Sequence, residues 1–201
     1  MMKAQRTSGR YNTKFKKGIV PGTGTEKGEM KMTNDKISEL LNKQINEELY
    51  SAYLYLDCAK HFDCAGLKGF ANWYKVQAHE ELEHAMKFYN YMQDQGCHIE
   101  LKKLQAPNLT EASGKGDGTE MHLEVAKQGL DHEKHITKMI NAIYDEAVQA
   151  SDYRTMNFLD WFVAEQAEEE TNARDMVDLL KLINDCSAAL YIADSKMGER
   201  K

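Results

Sequence analysis

The chain has 201 residues, 42% of them hydrophobic and 29% charged, and its formal net charge is −6. This size suits one sizeable domain with its own core, and the composition is ordinary for a globular protein. No apolar run approaches the ~18–20 residues that a membrane-spanning helix needs, so we expect no membrane partner.

The charge is unevenly distributed along the chain. Residues 1–31 carry a net charge of +6, and the remainder carries −12. We interpret residues 1–32 as a disordered basic leader, either artificial or translated from an upstream start, because they are glycine-rich and lack periodicity. A functional basic tail and a transit peptide are the alternatives. The acidic remainder, 33–201, suits a cation-handling domain and argues against a nucleic-acid partner, except through the leader.

Hydrophobic periodicity predicts four long helices and a short fifth one. Thr33 or Asn34 is a suitable N-cap for the first helix, and Gly96 is the expected C′ residue of the second. A short break is expected at 63–66. The predicted helices cover residues 35–61, 67–95, 120–149, 152 onward, and 188–193.

A long connection separates the second and third helices. Residues 97–118 have no periodicity and include Pro107, Gly114 and Gly116. A helix of about 28 residues is ~40 Å long, whereas 20 extended residues cover ~65 Å, so the connection is long enough to return along the whole bundle. The expected fold is therefore an all-α four-helix bundle with one long crossover and a short fifth C-terminal helix.

Each long helix places metal-ligand residue types on its apolar face. They are Glu48, Glu81 with His84, Glu133, and Gln166 with Glu169. Several carboxylates gathered in a core repel one another and stay protonated unless cations neutralise them. An oxygen-rich set with one imidazole suits iron or manganese, and zinc can compete.

Four motifs carry a resemblance to the bacterial non-haem ferritins that extends from about residue 32 to the C-terminus. They are NEELY at 46–50, HEELEH at 79–84, DHE at 131–133, and WFVAEQAEEE at 161–170. The resemblance implies the ferritin-like version of the bundle. It also implies an iron-storage function with ferroxidase activity, in which dioxygen or peroxide oxidises Fe(II) and the ferric mineral is kept in a shell.

The resemblance also assigns site residues. Glu48, Glu81 and His84 would bind the first iron of a di-iron centre. Glu81 would bridge to a second iron at Glu133, with Gln166 and Glu169 nearby. The family's third iron site maps onto Glu80, Glu165, Glu168 and Glu169. Tyr55 matches the family's tyrosine beside the centre, so that Tyr55, Glu81 and His84 form the expected catalytic group. Trp161 is either its electron-transfer companion or a core aromatic residue.

The fourth helix departs from a symmetric di-iron pattern. It offers Gln166-x-x-Glu169, and Asn172 stands where a second Glu-x-x-His would need histidine. The second iron should therefore be held loosely, which suits a site that passes iron onward. We expect no haem, because Leu82 stands where the haem-binding methionine of bacterioferritins would be.

The expected assembly is a cytoplasmic homo-oligomer, and the resemblance implies a 24-mer. The cysteines show no paired spacing and indicate reduced thiols. A rubrerythrin-like di-iron peroxidase would need a cysteine cluster or a second Glu-x-x-His. A DNA-protecting mini-ferritin could use the basic leader on phosphates, but its iron site lies between subunits. A metal-free structural bundle is the remaining alternative.

Overall fold

The computed structural model describes residues 33–107, 109, 118–184 and 186–201. In these ranges the chain forms five helices and no strand, which confirms the all-α fold. The helices are α1 (Asp35–Cys64), α2 (Lys68–Asp94), α3 (Thr119–Ala150), α4 (Tyr153–Ile183) and α5 (Ser187–Met197). None of the described helices is long and apolar enough to cross a membrane. The expected basic leader, 1–32, lies outside the described residues.

The helix ends follow local capping chemistry, with two corrections to the predicted bounds. Asn34 is the N-cap of α1, and its Oδ1 accepts the Ile37 N–H at 2.8 Å. The break predicted at 63–66 lies later, because α1 continues to Cys64. Gly96 has φ +67° and ends α2 as predicted. Helix α5 extends beyond the apolar run at 188–193, since its polar last turn is held by contacts with α2.

The four long helices pack as two antiparallel hairpins. Helix α1 packs most extensively on α2, and α3 on α4. Two apolar clusters fill the core: one includes Ile37, Phe88 and Ile140, and the other includes Phe62 and Leu180. On each long helix these clusters lie on either side of a short buried polar stretch. The bundle therefore contains a polar layer between two hydrophobic halves.

Two asparagine side chains fix the described start of the crossover against α1. The backbone N–H of Glu100 donates to Asn42 Oδ1 at 2.8 Å, and that of Lys102 donates to Asn46 Oδ1 at 2.7 Å. Asn46 Nδ2 returns a hydrogen bond to the Glu100 carbonyl at 3.0 Å. The crossover thus begins by running beside α1, and residues 108 and 110–117 lie outside the described part.

Helix α5 docks on the first turn of α2. Asp194 Oδ1 accepts the Phe70 N–H at 2.9 Å, and Asn72 Nδ2 donates to the Arg200 carbonyl at 2.9 Å. The contact is close at Gly69, where a Cβ atom would lie 1.6 Å from the Asp194 carbonyl oxygen. Only a residue without a side chain allows this approach.

Gly69→Ala is therefore expected to push α5 away from α2 and to destabilise the protein by ~2 kcal/mol, as overpacking does. The measurement is the thermal midpoint together with limited proteolysis of the C-terminal segment. Gly129→Ala is the matched control, since its Cβ would make an ordinary 3.6 Å contact with Tyr55. Equal midpoints and equal protection of the C-terminus in all three proteins would contradict the tight docking.

Candidate metal centre

The polar layer contains six deeply buried ligand-type side chains. None is more than 5% exposed. They are Glu48 from α1, Glu81 and His84 from α2, Glu133 from α3, and Gln166 and Glu169 from α4. Burying so many ionisable groups is unfavourable without compensating partners. The neighbours of each group therefore decide what the layer can do.

Glu48, Glu81 and His84 form a compact donor group. One ligand atom from each lies within 4.8 Å of the other two. His84 Nδ1 is 3.2 Å from Glu81 Oε2, and Gln44 Nε2 donates to Glu48 Oε1 at 2.9 Å. Glu48 Oε2 is fully buried and has no hydrogen-bond partner in the described part of the chain. A buried carboxylate oxygen left in this state is suited to a cation.

A second donor group shares the same histidine. Donor atoms of His84, Glu165 and Glu169 also lie within 4.8 Å of one another, and His84 Nε2 is 3.7 Å from Glu165 Oε1. The structure does not bring the other two residues expected at a third site into this group. Glu80 forms an ion pair with Arg200, and Glu168 is exposed.

Glu133 lies in a different hydrogen-bonding environment. The Tyr55 hydroxyl donates to its Oε1, and Gln166 Nε2 donates to its Oε2 at 2.7 Å. Gln166 Nε2 also lies 3.1 Å from the Glu133 backbone carbonyl. Both carboxylate oxygens of Glu133 thus already accept from neutral donors, so a cation here would compete with those bonds.

Sequence reasoning missed two glutamines that join the layer. Gln44 bonds to Glu48, as described above, and Gln77 Nε2 donates to Glu169 Oε2 at 2.7 Å and to Glu81 Oε1 at 3.2 Å. Each glutamine precedes its glutamate by four residues, which places the pair on one helix face. That spacing, on an otherwise apolar face, was the available signal.

Burial perturbs the protonation of the layer. It raises the pKa of Glu48 and of Glu133 well above the usual value, and the charge of Glu81 adds to both shifts. For the same two reasons the pKa of Glu169 is raised to about 7. Burial alone would lower the pKa of His84, but its hydrogen bond to Glu81 and the charge of that residue outweigh burial and raise it.

The donor chemistry fits a divalent transition metal. Carboxylate oxygens with one imidazole match the ligand preferences of Fe(II) and Mn(II), with Zn(II) as a competitor. A bound cation would also offset the burial and the mutual repulsion that together favour the protonated carboxyl groups. The side chains of the layer alone therefore give it the properties of a metal site.

Two aromatic residues near the layer differ in their surroundings. Trp161 is 41% exposed, so its interpretation as a core aromatic residue is wrong. Its ring centroid lies 5.5 Å from that of His84, and Lys87 Nζ lies 3.9 Å from the Trp161 centroid. Tyr55 is buried, and burial together with the charge of Glu133 raises its pKa well above the usual value.

Comparison with known proteins gives three findings. Residues 38–183 match the ferritin-like domain family. The chain is 36% identical over 169 residues to proteins named bacterial non-heme ferritin from Staphylococcus aureus and Staphylococcus haemolyticus, covering 84% of this chain and 97% of each relative. A solved open pore ferritin from the hyperthermophilic archaeon Archaeoglobus fulgidus superposes with a TM-score of 0.77 at 41% identity. That match covers 84% of this chain and 99% of the archaeal one.

Proposed function

The chain belongs to the ferritin family, and we propose that it is an iron-storage protein that oxidises Fe(II) to Fe(III) before storing it. The oxidant would be dioxygen or peroxide, and the product a ferric mineral inside a shell of identical subunits. The observation that carries the proposal is the buried group of Glu48, Glu81 and His84, in which one Glu48 oxygen has no partner among the described residues.

In this proposal Glu48, Glu81 and His84 bind the first Fe(II), and Glu81 also faces the second. Binding would require the carboxyl groups to give up the protons that burial favours, so uptake of the cation would release protons. Glu133 would hold the second iron, assisted by Gln166 and Glu169. Its existing bonds to Tyr55 and Gln166 support a weaker site.

The second donor group supports a path away from the centre. His84 belongs to both groups, and Glu165 is half-buried rather than enclosed. Iron leaving the centre could therefore meet Glu165 and Glu169 next. The full third site, with Glu80 and Glu168 added, stays a prediction, because Glu80 would first have to leave Arg200.

Membership of the family supports a proposed assembly and compartment. We propose a homo-oligomeric shell, a 24-mer by the family pattern, located in the cytoplasm. All four cysteines, Cys58, Cys64, Cys97 and Cys186, are free in the structure, and in that compartment they would remain reduced thiols.

The test is aerobic addition of Fe(II) to the purified full-length protein. We expect ferric absorbance to develop faster than in protein-free buffer, because the buried donors bind Fe(II) and stabilise the ferric product. The iron should then co-elute with assembled protein on size exclusion. Oxidation no faster than in buffer, or iron that elutes apart from the protein, would contradict the proposal.

A further inference from the structure

The last residues of the chain reach the polar layer through Arg200. Its Nη1 donates to Gln77 Oε1 at 2.9 Å, and its Nη2 forms an ion pair with Glu80. The guanidinium also lies over the Trp73 ring, with Cζ 4.4 Å from the centroid. Arg200 itself is held in place by Asn72, which donates to its carbonyl. The C-terminal segment thus holds the positive guanidinium of Arg200 close to Glu81 and Glu169, with only the Gln77 side chain between them.

The contact with Arg200 determines which way the Gln77 amide faces. Arginine only donates hydrogen bonds, so the amide oxygen of Gln77 must point towards it. The amide nitrogen then points into the layer, where it donates to Glu169 Oε2 and Glu81 Oε1. A flipped amide would place its oxygen against two carboxylates and its N–H groups against a cation. Both changes are unfavourable.

We propose that Arg200 is a positioning residue for the metal centre and acts by fixing Gln77, which in turn orients Glu81 and Glu169. This inference rests on the proposed function. It links the docking of α5 to cation affinity, because Arg200 lies three residues after the end of that helix. The expected consequence is that a protein lacking the guanidinium still holds every direct ligand but binds cations more weakly.

The planar fork of arginine explains why this residue type suits the position. One guanidinium simultaneously donates to an amide oxygen, pairs with a carboxylate and stacks on an indole ring. Glu80 and Trp73 hold the fork on two sides, so that its third contact falls on Gln77. The neighbouring Lys201 is exposed and provides a matched control in the same segment.

The experiment measures Co(II) binding to the metal-free, full-length assembled protein without oxygen, by calorimetry and by the visible absorption of the bound ion. Arg200→Ala and Gln77→Ala are each expected to weaken binding ~10-fold, the usual effect of losing an outer partner of metal ligands. Lys201→Ala should bind like the wild type. Adding Arg200→Ala to Gln77→Ala should cause no further loss, because Arg200 acts through Gln77.

The outcomes separate this inference from the proposed function. Gln77→Ala leaves Arg200, Glu80 and the docking of α5 in place, so its loss of affinity cannot come from a displaced C-terminus. Unchanged affinity and spectrum in Arg200→Ala, or a full second loss in the double variant, would overturn the positioning role alone. A wild-type protein that binds no Co(II) would overturn the proposed function and this role with it.

Discussion

Replacing Glu81 and His84 together by Ala is expected to lower the initial rate of aerobic Fe(II) oxidation at least ~100-fold, since even outer partners of metal ligands contribute 10–100-fold. Glu81 is hydrogen-bonded to Gln77 and His84 and lies beside Glu48. His84 belongs to both donor groups. Their loss leaves Glu48 as the one remaining metal-ligand residue of the first donor group. The measurement is stopped-flow ferric absorbance at a fixed ratio of iron to subunit.

The same helix supplies a matched control. His79 and Glu83 form an ion pair of the same residue types, with Nδ1 and Oε1 3.6 Å apart and both side chains largely exposed. His79→Ala/Glu83→Ala should therefore oxidise iron at the wild-type rate. Size exclusion of both variants verifies assembly. Equal rates in the two assembled double variants would show that the buried group is not where oxidation occurs.

Glu169→Gln is expected to stabilise the metal-free protein at pH 8 by about 3 kcal/mol, which is the value of the Glu169 pKa shift at ~1.4 kcal/mol per unit. The pKa is about 7 in the fold, raised by burial and by Glu81, against a usual 4.5. Gln has nearly the same shape and never ionises, so it avoids the penalty. For a chain of this size the thermal midpoint should rise by roughly 6–12 °C.

The direction of the pH dependence follows from the raised pKa. Below pH 4.5 the group is protonated in both the folded and the unfolded protein, and no penalty exists. Between pH 4.5 and 7 the unfolded chain loses the proton first, so stability falls as pH rises. Above pH 7 the penalty is complete. The wild type should therefore be less stable at pH 8 than at pH 5, and the drop should be smaller in Glu169→Gln.

The neighbouring Glu168 provides the control for this experiment, because it is exposed. Glu168→Gln should follow the wild-type pH dependence. All three metal-free proteins must be compared at one protein concentration, since assembly contributes to the midpoint. Parallel pH dependence of Glu169→Gln and the wild type would contradict the buried-charge penalty.

The fold could be predicted from the sequence because its helices are strongly periodic. In α3 the buried residues, from His122 to Ala147, recur mostly at three- and four-residue steps along one face. The helix ends were less predictable. Helix α5 extends past its apolar run because Asp194 bonds to the backbone of α2, and local periodicity carries no information about such a distant partner.

The candidate site was predictable to the extent that it depends on single helix faces. A Glu or His that interrupts an apolar face is visible in the sequence, and Glu48, Glu81, His84 and Glu133 all lie in the layer. What could not be predicted is which charges neutralise one another across the fold. The pairing of Glu80 with Arg200 joins residues 120 positions apart, and only the docked C-terminus brings them together.

Because the bundle consists of two hairpins, the free-energy cost of burying its carboxyl groups arises at a particular stage of synthesis. The first hairpin carries Glu48, Glu81 and His84, and the second carries Glu133 and Glu169. A nascent chain completes the first hairpin before the second exists, and its carboxylates still face water at that stage. Desolvation of these groups therefore coincides with the meeting of the two halves. A cation bound at the proposed site would therefore assist that final step more than it would assist helix formation.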